Sequence, residues 1–70
     1  MSRADHLQWC KDRAMEYVNT GDSTNAIASM ISDLGKHPET AQSASLGMML
    51  AIVINRNDKA AMTNWVQGFN

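Results

Sequence analysis

His6 and Cys10 stand four residues apart, the spacing that stacks two side chains on one face of a helix. Imidazole and thiolate both bind zinc, and Asp33 or His37 would have to complete such a site. A structural zinc site wants four ligands, however, and no second cluster accompanies this pair. The same residues can be read as a nucleophile and its base, which requires an accessible thiolate and donors for the developing negative charge. Cys10 instead falls within an apolar stripe, and no glycine-rich nest lies near it. Two carboxylate pairs, Asp33 with Glu39 and Asp12 with Glu16, raise the question of acid–base chemistry. Asp12 and Glu16 sit beside Lys11 and Arg13, the composition of a solvated helix face. No Gly-Lys-Ser/Thr run is present to cradle phosphate, and Gly21, Gly35, Gly47 and Gly68 are isolated. The expectation is therefore a non-enzymatic protein with no metal and no cofactor.

Trp9 offers a different chemistry. On an ideal helical wheel it lies about 200° from Leu7, on a face shared with Arg13 and Glu16. A large aromatic one turn from an arginine is the composition of a protein-binding hot spot. Trp9, Arg13 and Glu16 are thus candidate contacts for a partner protein; the alternative is that a fourth helix or a tail covers the indole.

Four helices are needed to position these residues. Ser2 caps the first, with Asp5 in its opening turn, and Leu7, Cys10, Ala14, Tyr17 and Val18 form its stripe. Asn19-Thr20-Gly21 ends it. Asp22 or Ser23 opens the second helix, striped by Ala26, Ile27, Met30, Ile31 and Leu34 and closed by Gly35. Pro38 suits the first turn of a third helix, although Thr40 or Ser43 would also serve as its cap. Asn55 to Asp58 reads as a polar turn, and Asp58 caps a fourth helix carrying Met62, Trp65, Val66 and Phe69. The helices are expected near residues 3–19, 23–35, 40–54 and 59–67. Leu7, Ala14, Tyr17, Ile27, Met30, Ile31, Leu34, Leu50, Met62, Trp65 and Val66 are the expected core. Short connections make neighbours antiparallel, so the fold class is all-α: four short helices in two packed hairpins, one domain over residues 1–70.

The chain has 70 residues, six basic and seven acidic, and an apolar share of 44%. A chain this short buries only about 60% of the surface that its unfolded form exposes. One cysteine excludes an internal disulfide, so the core must come from helices, from a second subunit, or from both. Up to Gly35 there are three basic and five acidic residues; beyond it, three basic and two acidic. Neither half makes the basic surface that a phosphate backbone requires, which argues against nucleic acid as a partner. The longest apolar run, Met48 to Ile54, is seven residues, far short of a membrane span, and no secretory leader pattern opens the chain. A lone free cysteine fits a reducing cytoplasm.

Two resemblances add expectations. Ala14, Tyr17, Gly21, Ala26 and Pro38 fall at the spacings of a tetratricopeptide repeat, with Gly21-Asp22 at its turn. Cys10, Arg13 and Asp33 depart from that pattern, so the first hairpin resembles a degenerate unit. More broadly, Asp5 to Arg13, Gly21-Asp22, Ser32 to Thr40, Leu46 to Leu50 and the ending Gly68-Phe69-Asn70 resemble a family of small phage-encoded proteins of unassigned activity. That resemblance implies a phage or prophage accessory factor in the bacterial host cell, binding or inhibiting a host protein, with anti-defence activity included.

Two other classes remain open. One is a structural or assembly homo-oligomer; the other is a small regulator using the second and third helices as a helix-turn-helix, although Gly35 to Thr40 lacks a dense basic segment. A homodimer is expected through the third helix. Leu46, Met49, Leu50 and Val53 make an ordinary core stripe there, while Met48 and Ile52 project well away from its centre and are the candidate interface residues. Ile54 widens the apolar surface further. A helix apolar nearly all round should be buried nearly all round.

Overall fold

The computed structural model describes residues 2–54 and 57–69, with residues 52 and 53 described in their backbone alone. Four helices follow one another: α1 (Arg3–Asn19), α2 (Ser23–Leu34), α3 (Pro38–Val53) and α4 (Lys59–Gln67). No strand occurs among the described residues. The expected all-α architecture of packed helical hairpins is present. Three of the helices lie within a residue of their expected bounds; α3 starts two residues earlier than residue 40.

Local chemistry sets these ends. Ser2 and Asp5 form a reciprocal capping box on α1. The Asp22 side chain accepts the Asn25 amide at 3.1 Å, and Asp58 accepts those of Ala60 and Ala61. His37 caps α3 through Nδ1, which accepts the Glu39 amide at 3.1 Å, and Pro38 follows as the first helical residue. That imidazole acceptor explains the early start. Thr40, one of the expected caps, instead buries its hydroxyl and donates to the Leu34 carbonyl at 2.6 Å. It thereby ties the end of α2 to the start of α3. The turn expected at Asn55–Asp58 lies partly outside the described residues.

α1 and α2 form the most extensive contact, α4 lies against α1, and α3 packs chiefly on α2. Small side chains make the α1–α2 approach: Cys10, Ala14 and Ala26 are fully buried, and Met30, Leu34, Met62 and Val66 fill the space between helices. Trp65 closes one end and donates from Nε1 to the Gly47 carbonyl at 3.1 Å. Phe69 meets Trp65 edge-on at 5.2 Å and seats its ring where a side chain on Gly47 would stand. Lys11 reaches the Gln67 carbonyl at 3.2 Å, tying α1 to the end of α4.

The core differs from the expected set in α3 and at Tyr17. Tyr17 is 36% exposed, at the margin of the α1 stripe, and Ile27 and Ile31 are half-buried against the core. The α3 stripe is inverted. Leu46, Met49 and Leu50 are 61%, 67% and 53% exposed, whereas Thr40, Gly47 and Ala51 are buried and Ala44 is half-buried. Spacings of four, three and four residues put Thr40, Ala44, Gly47 and Ala51 on one helix face. Their small volume lets α3 lie close to its neighbours. The larger stripe turns to the opposite side. Val53, expected in that stripe, lies among the side chains outside the described set.

Gly21 has φ near +80° and ends α1 in a Schellman arrangement: its amide bonds Val18 at 3.1 Å, and that of Asp22 bonds Tyr17 at 2.9 Å. Nothing lies within 4 Å of a Cβ placed there. Gly21→Ala should still destabilise the fold by about 1–2 kcal/mol, because a Cβ disfavours the left-handed backbone. A urea unfolding series checks this; an unchanged midpoint would show that the turn can rearrange at no cost.

Candidate functional site

The residues with candidate chemistry gather around one carboxylate. Asp33, near the end of α2, is buried although its partners are half-exposed. Arg13 Nε donates to Oδ2 at 2.7 Å, Lys36 Nζ to Oδ1 at 3.1 Å, and Ser29 Oγ approaches Oδ2 at 3.4 Å. Burial pushes the carboxyl up, but the hydrogen bonds and charges of Lys36 and Arg13 outweigh it, holding Asp33 below its ordinary value. The same hydrogen bond raises Arg13 further. Asp33 is thus an ionised anchor joining α1 to α2 and to the connection beyond. Glu39, whose carboxylate raised the question of a pair with Asp33, is exposed at the start of α3, while Asp33 is committed to two cations.

His6 and Cys10 do meet, with Sγ 3.6 Å from Nε2. The same Nε2 lies 2.9 Å from the Asp33 carbonyl, which can only accept, so Nε2 carries hydrogen and cannot take the thiol proton through this contact. Burial, then the negative charge of Asp33, pushes the Cys10 thiol up. Both effects oppose nucleophile activation. His37 lies beside His6, with ring centroids 5.2 Å apart, but its Nδ1 is spent on the α3 cap. Among the described residues, no three of His, Cys, Asp and Glu are grouped to hold a metal ion. Asp12, the other half of a candidate carboxylate pair, accepts from Gln8 at 2.8 Å on an exposed surface.

Trp9 lies against this cluster and is 36% exposed. Its ring stacks on His6 at 5.6 Å; the Arg13 guanidinium lies 4.9 Å and the Lys36 ammonium 5.6 Å from its centroid. Part of the cover therefore comes from α1 itself and from the residues after α2. Asp33 fixes both cations while leaving them partly exposed, and both lie over the indole ring. Glu16 is exposed further along α1, and its charge acts on Arg13. Lys36 is the member that sequence reasoning missed, because it reaches Trp9 only after α1 and α2 fold together.

A second surface is apolar. Leu46, Met48, Met49 and Leu50 all stand more than half exposed on α3. Beside them an open groove of about 340 Å³ is lined by Ser43, Leu46, Gly47, Leu50, Trp65 and Phe69, among others. Met48, one candidate interface residue, is exposed; the side chain of Ile52, the other, lies outside the described set. Ile54 instead packs partly against the core. The 4-3-4 run of small residues was the available sequence signal for which α3 face turns inward.

Asp33→Asn should cost about 1–2 kcal/mol at neutral pH, through weakened hydrogen bonds to partly exposed cations. Because the folded carboxyl is the stronger acid, its stabilisation is complete above the ordinary value of 3.8 and disappears as pH falls through the lower folded value. Unfolding measured across acid pH should therefore lose its steepest limb in Asp33→Asn. An identical acid limb in both proteins would remove Asp33 from that role.

No protein-family model, curated protein or solved structure matches the chain, so the geometry itself has to carry the functional reading.

Proposed function

We propose that this chain is a non-enzymatic protein-interaction module. Its working surface is the exposed apolar face of α3 with the adjoining α3–α4 groove, and its occupant is an apolar surface of a folded polypeptide. One observation carries this reading: four large side chains of one helix are more than half exposed, on a chain whose total accessible surface is 4264 Å². Burying each such side chain removes roughly 60–100 Å² from water, so together they offer roughly 240–400 Å² of apolar area. Leu46, Met49 and Leu50 share one side of α3, with Leu46 and Leu50 lining the groove, and such an apolar face on so small a domain suits a contact surface.

The likeness to small phage-encoded proteins supports an accessory factor that binds or inhibits a host protein in the bacterial cell. For that partner, Trp9 and Arg13 offer a smaller contact with a rigid aromatic edge, and Glu16 stands exposed beyond them. Fixing the cations over Trp9 in advance lowers the ordering cost of binding.

A photoreactive amino acid in place of Met49, introduced during bacterial expression, tests the reading. Irradiation should yield a covalent adduct with a polypeptide, and the same probe at Ala28, exposed on α2, should not. No polypeptide adduct from position 49, or equal yields from both positions, would refute the α3 surface as the working face.

A further inference from the structure

We infer that the occupant of the α3 face is a second copy of this chain, in an antiparallel two-fold contact centred between Leu46 and Met49. This rests on the protein-interaction reading above and names its partner.

Charge is the first argument. From Thr40 to Val53 α3 carries no ionisable side chain, so two such faces meet with no like charges to oppose and no opposite charges to demand a different partner. The single charge of α3, Glu39, lies in its first turn. A parallel pair would bring the two Glu39 side chains to the same end. An antiparallel pair separates them by the length of the helix, about 24 Å for 16 residues, and sets opposite helix-dipole ends together.

Spacing is the second. Gln42, Leu46 and Met49 follow one another at four and three residues, the seam by which two helices pack at a shallow angle. Among the described side chains of α3, Met49 is the most exposed large apolar one, and Leu46 follows it. Both lie near the middle of the helix, so a two-fold axis between them sets Leu46 of each chain opposite Met49 of the other. The unbranched methionine can then enter the open groove bordered by Leu46, Leu50, Trp65 and Phe69.

Area is the third. A stable interface takes about 800 Å² from each partner. Leu46, Met49 and Leu50 supply roughly 180–300 Å² of this from one helix, and the groove rim, including Ser43, Asn64 and Gly68, extends it. Interfaces between identical chains are the most apolar class, which matches an uncharged face. Two-fold symmetry uses each surface twice, once as knob and once as groove. Neither the Trp9 edge nor the Asp33 cluster lines the groove that this contact uses.

Sedimentation equilibrium across a concentration series should give a mass twice the 7.7 kDa of one chain at high micromolar concentration. Leu46→Glu and Met49→Lys should each weaken the pair on the order of 100-fold or more, since each puts a charge in the apolar contact. Circular dichroism should show both variants still helical, because these side chains are exposed in the single chain. Mixing the two variants should restore a heterodimer, as the antiparallel register places position 46 opposite position 49. A wild-type mass of one chain, variants that pair as well as wild type, loss of helix in both variants, or no recovery on mixing would each overturn the inference. The adduct at position 49 separates the two failures. A monomer crosslinked to another protein leaves the interaction reading standing and removes the second copy; a monomer with no polypeptide adduct removes both.

Discussion

The close approach of helices through small side chains governs this structure. Cys10, Ala14 and Ala26 bring α1 and α2 together, and Thr40, Ala44, Gly47 and Ala51 bring α3 against its neighbours. Such contacts leave little interior volume. Met30, Leu34, Met62, Val66 and Trp65 occupy it, and among the described residues no second layer of elements covers the opposite side of α3. Leu46, Met49 and Leu50 are external for that reason. Seating small residues inward fits α3 into the fold and, in the same step, turns its large side chains outward.

A polar staple complements this packing. Asp33 draws Arg13 from α1 and Lys36 from the connection after α2 onto one carboxylate, while its own carbonyl receives His6. Thr40 then fastens the end of α2 to α3. These bonds satisfy groups that burial would otherwise leave costly, and no described buried side-chain nitrogen or oxygen lacks a partner. The staple also explains why the chemistry-bearing residues are poorly set for catalysis. The imidazole Nε2 is committed to the Asp33 carbonyl, burial opposes thiolate, and the carboxylate is occupied.

The two exposed features therefore suit different contacts. The Trp9 edge is small, aromatic and flanked by cations, while the α3 face is broad, uncharged and flexible in its methionines. They lie on different helices, Trp9 on α1 and the apolar face on α3.

Much of the fold is legible in the sequence because it is written locally. Ser2, Asp22 and Asp58 cap helices through amides two or three residues away, and Gly21 ends α1 through its own backbone freedom. Apolar spacing in α1, α2 and α4 points inward because each has one clear stripe. In α3 the sequence presents two usable faces, one large and one small, and hydrophobicity alone favours the large one. Only packing against α2 and the core decides for the small one, since close approach depends on the shape of the neighbouring helices. The Asp33 staple is likewise tertiary: Arg13 is 20 residues away from it, and no local spacing brings them together. The sequence by itself determined where helices begin and end, through short-range hydrogen bonds and backbone preference; the tertiary structure decided which face of α3 is buried and which charge meets Asp33, because both depend on surfaces that exist only once the helices have packed.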